Sequence, residues 1–107
     1  METDVIASAV ELSEAIRGAG RQHSFDKTVA GFVQLLATVP DYPATEFSQD
    51  GIGTLKATAE AVIISIEARI EKGEGSATDE RHMAEGVYEI RRLLEEIDRW
   101  RRHYLQP

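Results

Sequence analysis

Apolar residues recur along this chain at steps of three and four and almost never alternate, so the pattern predicts helices throughout and no sheet. A first helix runs from about Thr3 or Asp4 to Arg17, with Val5, Ala9, Leu12 and Ile16 on one face; the "GAG" stretch from Gly18 to Gly20 ends it. A second starts near Ser24, an N-cap residue with Asp26 behind it, and carries Phe25, Val29, Phe32, Leu36 and Val39 to a stop at Pro40. Turn formers then gather in "PDYPATEFSQDGIG", which leaves the start of the third helix open between Pro43 and Thr54, with Ser48 a candidate cap. From Ile52 the pattern is firm: Leu55, Ala59, Val62, Ile66 and Ile70 continue a seam, while Ala57, Ala61, Ile64 and Ala68 form an adjoining face. An apolar arc this wide predicts contact from two sides.

The turn "KGEGSATDE" breaks the pattern most sharply. Gly73 and Gly75 suit a left-handed C-terminal cap, and Ser76 with Asp79 has the form of a capping box. The fourth helix that follows extends to about Leu105, with Met83, Val87, Ile90, Leu94, Ile97 and Tyr104 on one stripe and Leu93 and Trp100 beside it. Folding the last two helices back on each other, with Lys72 opposite Ala77, pairs residues whose numbers sum to 149. Ile52 then faces Ile97, Leu55 faces Leu94, and Val62 faces Val87. The expected fold is all-α and bundle-like: a long antiparallel hairpin, about 48–72 and 77–105, with two shorter N-terminal helices across it, all in one domain, 1–107. The hairpin would be roughly 37–43 Å long against 20–24 Å for each short helix, so either part of its apolar face is exposed or another molecule covers it, most commonly a second copy in a symmetric homodimer.

Composition changes the picture in three ways. Cysteine is absent, which removes disulfides and thiolate chemistry and fits a reducing cytoplasm. The longest apolar run, "AEAVIISIEARI", is broken by charges well short of the ~20 residues of a membrane span, and the N-terminus carries acids where a secretory signal would carry bases. The net charge of −7 is uneven: residues 1–80 hold 14 acids against 6 bases, and residues 81–107 hold 5 acids against 6 bases. An acidic body repels phosphate backbones, so nucleic acid is disfavoured as a partner.

Chemistry-bearing residues are scattered. His23, His82 and His103 share no helical metal-binding spacing. In "RHMAEGVYEI", His82 is followed at the fourth position by Gly86, which resembles histidine phosphotransfer domains. Those are four-helix bundles whose exposed histidine precedes a lysine and a glycine at the third and fourth positions, and the resemblance implies a phosphocarrier using His82. The lysine position holds Glu85 here, an acid that would repel a phosphoryl group. Glu71 with Glu74, and Glu95 with Asp98, echo the acidic pairs of all-α nucleotide pyrophosphohydrolases that bind magnesium, without a facing set to complete a site.

The tail "DRWRRHYLQP" is basic and aromatic. Charges at i, i+4 lace the whole fourth helix: Arg81 with Glu85, Arg91 with Glu95, Arg92 with Glu96, Glu95 with Arg99 and Asp98 with Arg102. The tail's own basic residues divide into partners of Glu95 and Asp98 and complements of the helix terminus. Trp100 and Tyr104 share a face, to be closed either by Tyr42 and Phe47 of the same chain or by another molecule. Trp100, Tyr104, Leu105, Arg101, Phe47 and Tyr42 are therefore the candidate partner-binding residues. The resulting expectation is a non-catalytic protein–protein interaction module with no cofactor or metal. It would be a small acidic inhibitor or adaptor of bacterial or phage type, such as an anti-activator, antitoxin, immunity or anti-defence protein.

Overall fold

The computed structural model describes residues 2–18, 22–73 and 77–105, without the side chains of residues 2–3, 22–26, 44, 79 and 104–105. Helix α1 spans Glu2–Gly18, α2 Gln22–Thr38, α3 Gln49–Glu71 and α4 Ala77–Leu105; two single 3-10 turns, Val39–Asp41 and Ala44–Glu46, join α2 to α3. The described residues contain no strand, and the four helices pack together as the expected all-α bundle. Ser48 settles where α3 begins: its backbone is extended and its hydroxyl accepts a hydrogen bond from the Gly51 N–H at 2.9 Å, as an N-cap does. Helix α2 starts two residues before Ser24, which therefore lies inside its first turn. After α3, Gly73 takes φ +70° and donates to the Ile70 carbonyl, the left-handed cap that its sequence position calls for. Gly20, Gly75 and the Ser76–Asp79 capping box lie outside the described residues or side chains.

Around the bundle each helix has two neighbours: α1 packs on α2 and α3, and α4 packs on α2 and α3. Helices α2 and α4 run parallel. Val29 approaches Gly86, and thirteen residues on the Tyr42 carbonyl meets the Trp100 indole, so the offset holds at 57 and then 58 positions. Helices α3 and α4 run antiparallel, but not in the register that the turn suggested. The ion pairs across the hairpin, Lys56 to Asp98 at 2.8 Å and Arg91 to Glu67 at 3.4 Å, have residue numbers summing to 154 and 158. With a sum of 149, Arg91 would stand opposite Thr58, roughly 13 Å along the axis from Glu67. The two pairs are centred on 156, one heptad from the expected value. A seven-residue slide still sets Val62 near Leu94 and Ile66 near Ile90, which is why the apolar pattern alone accepts either register.

The core follows the predicted stripes. Ala9 and Ile16 of α1, Phe32 and Leu36 of α2, Leu55, Val62 and Ile66 of α3, and Met83, Ile90 and Ile97 of α4 are buried. The molecule measures 49 × 21 × 18 Å, and α4 outruns the two short helices as its length required. Part of that excess is closed by the chain itself, because the two 3-10 turns pack against the far end of α4. The second face of α3 is different. The helix is contacted by two neighbours, α1 and α4, as its wide apolar arc predicts, yet on the adjoining face Ala57 and Ile64 remain exposed and Ala61 and Ala68 half-buried.

Candidate partner-binding surfaces

The aromatic corner comes first, since the tail residues were the expected contact. Trp100 is 8% exposed and Phe47 is buried; their rings meet edge to face at 5.8 Å, and Phe47 meets Tyr42 in the same way at 6.0 Å. The indole N–H donates to the Tyr42 carbonyl at 3.2 Å, and the Arg101 guanidinium donates to the Phe47 carbonyl at 3.2 Å. Pro40 and Pro43 produce this geometry: they keep the linker from continuing as helix, and its carbonyls, unused by helical hydrogen bonding, turn toward α4. Trp100, Phe47, Tyr42 and Arg101 are thus brought together by their own chain and occupied there. The side chains of Tyr104 and Leu105 lie outside the described ones.

A groove of about 450 Å³ opens instead between α2 and α4. Its floor is Val29, Val33 and Met83. Gly86 allows the two helices to come this close, since a Cβ at that position would stand 3.1 Å from the Val29 Cγ1. Ala30 and Gln34 form the α2 lip, which carries no charge; His82, Glu85 and Glu89 form the α4 lip, which carries all of it. Arg92 braces the acidic lip from outside, donating to Glu89 at 2.8 Å and to Glu96 at 3.2 Å. Its pKa is raised, first by the hydrogen bond to Glu89 and then by the charges of Glu89 and Glu96. Sequence reasoning placed Val29 on the core stripe and Gly86 in the histidine motif but did not join them. The signal was there: a glycine on one helix, and valines four apart with an alanine on another.

The hairpin helices carry exposed apolar side chains as well. Ile64 and Tyr88 are each 66% exposed, the large apolar side chains that stand out most among those described. Next to Tyr88 a smaller groove of about 260 Å³ runs over Ile70, Ala84 and Val87, bridged by the Glu67–Arg91 pair.

The remaining candidates are dispersed. His82 is exposed on the groove lip with Glu85 one turn along, and the space beside Gly86 is filled by Val29 from within the molecule. Glu71 is exposed, Glu74 is outside the described residues, and Asp98 accepts from Lys56. Of the charge pairs expected along α4, Arg92 with Glu96 forms as expected, while Arg91 and Asp98 reach across to α3. Cross-helix partners win there because Glu67 and Lys56 flank the same seam. Among the described residues no three His, Asp or Glu side chains gather to hold a metal, and no helix is long and apolar enough to cross a membrane. No family model, curated protein or solved structure matches the chain.

Proposed function

We propose that this chain is a non-catalytic protein–protein interaction module: a small acidic inhibitor or adaptor that holds a partner protein and blocks one of its surfaces. The observation that carries this reading is the α2/α4 groove, an apolar floor with one neutral and one acidic lip on a chain of net charge −7. An open apolar trough of this kind is where a soluble helical protein takes up another apolar surface. A partner surface that is basic around an apolar centre fits it best, including one that would otherwise hold nucleic acid. Working in the cytoplasm as an anti-activator, antitoxin, immunity or anti-defence protein is consistent with size, acidity and the lack of cysteine.

Self-association belongs to the same proposal and rests on a separate feature. Ile64 of α3 and Tyr88 of α4 are exposed, and a two-fold contact across the hairpin would bury both residues of each copy. The test of the interaction reading is affinity capture from native lysate with the wild-type chain and with Ala30→Arg, which fills the groove from its exposed lip. A partner retained by the first and lost by the second supports the reading; identical recovered proteins from both baits contradict it.

A further inference from the structure

We infer that the α2/α4 groove receives a single amphipathic helix from a partner protein, apolar on one face and bearing Lys or Arg along one edge only. This rests on the reading of the chain as an interaction module and adds to it the form and chemistry of what is bound.

Three observations select that occupant. First, the described residues contain no strand, so the bundle presents no sheet edge to which an extended segment could add. Second, the groove walls carry no aromatic side chain, whereas polyproline segments are gripped by aromatic-lined grooves. A trough between two parallel helices, with half-buried Val33 and exposed Ala30 above the buried Val29 and Met83, is instead the shape that takes the apolar stripe of a third helix. Third, the charge is one-sided. On α4 the lip presents Glu85 and Glu89, followed by Glu96 behind the Arg92 brace, while Ala30 and Gln34 on α2 are neutral. A helix lying in the trough has one edge against each lip, so cations on the α4 edge are attracted and cations on the α2 edge gain nothing. Gly86 sets the depth: a Cβ there would stand 3.1 Å from the Val29 Cγ1, so the floor would have to shift by a few tenths of an ångström.

The probe is a synthetic helical peptide of 17 residues, the length of α2, with Leu on one face and Lys along one edge. A second peptide with Glu in place of Lys serves as its charge-reversed control. Anisotropy titrations against the full chain should show the Lys peptide binding at least ~10-fold more tightly than the Glu peptide, with affinity falling as salt rises. Glu85→Gln with Glu89→Gln should weaken the Lys peptide about five- to tenfold, and Ala30→Arg should abolish binding, while Glu60→Gln with Glu71→Gln, on α3 beyond α4, should leave it unchanged. Equal loss on neutralising Glu60 and Glu71 would reveal unspecific attraction to an acidic surface and overturn the inference. So would a wild-type dimer that dissociates on Ala30→Arg, because the groove would then be filled by a second copy. If neither peptide binds while Ala30→Arg still releases a partner captured from lysate, the interaction reading stands and the helical occupant falls.

Discussion

Replacing Gly86 with alanine sets two effects of similar size against each other. Gly86 lies within the 29-residue α4, where Gly→Ala normally stabilises by about 0.5–1 kcal/mol by restricting the unfolded chain and favouring the helix. A Cβ at Gly86, however, would stand 3.1 Å from the Val29 Cγ1, inside ordinary van der Waals contact. Val29 is buried and β-branched, so in a helix it favours one side-chain rotamer and resists the shift of a few tenths of an ångström that the new Cβ requires. Overpacking of that kind costs about 1–3 kcal/mol. The net expectation is a chain destabilised by roughly 0–2 kcal/mol. The decisive comparison is the double-mutant cycle. Val29→Ala alone should cost about 2 kcal/mol from lost burial, and in that background Gly86→Ala should turn stabilising, giving a coupling of about 1–3 kcal/mol. Gly53→Ala calibrates the propensity effect, because Gly53 is inside α3 and nothing lies within 4 Å of its would-be Cβ. Urea titrations followed by far-UV circular dichroism supply the free energies. If Gly86→Ala stabilises the wild-type chain as much as Gly53→Ala does, with no coupling to Val29, then α2 and α4 do not approach as described and the groove between them has another shape.

Other expectations test the remaining parts. Trp100→Phe keeps a ring against Phe47 but removes the indole donor to Tyr42, for a loss of about 1–2 kcal/mol, whereas Trp100→Ala should cost about 3–5 kcal/mol in the same titrations. A loss below ~1 kcal/mol for the alanine variant would mean that the 3-10 turns do not close over α4. Ser48→Ala should cost about 1 kcal/mol through the lost cap on Gly51, and a neutral effect would move the start of α3 elsewhere. In light scattering over a range of concentrations, Ile64→Lys with Tyr88→Lys should yield a monomer from a self-associating wild-type chain; an unchanged mass would remove the hairpin face as the self-contact. With a phosphoryl donor in solution, His82 should take up no label beyond that of His82→Gln, since Glu85 stands one turn away.

What the sequence carried best was periodicity. Val5 to Ile16, Val29 to Leu36, Ile52 to Ile66 and Met83 to Ile97 mark the buried stripes because helical burial repeats at fixed steps, and Ser48 and Gly73 mark ends because their side-chain oxygen and absent Cβ have local uses. Hairpin register was not legible, because residues seven apart are equally apolar and the charges that decide it, Lys56, Glu67, Arg91 and Asp98, also have plausible partners on their own helices. The closure of Trp100 by Tyr42 and Phe47 was legible only as one of two options, since a proline-bounded segment carries no period to fix its path. The groove was least visible of all. It depends on which flank of α2 meets which flank of α4, and residues such as Ala30 and Gly86 announce no chemistry of their own.

The central claim is that recognition occurs between α2 and α4. Amide chemical-shift mapping of the isotopically labelled chain during titration with the Lys-edged peptide tests it most directly. The expected result is a contiguous set of shifts at Ala30, Val33, Met83, Gly86 and Glu89, with Ile64 and Tyr88 unmoved. Shifts centred on Ile64, Glu67 and Tyr88, or spread evenly over the acidic surface, would contradict it.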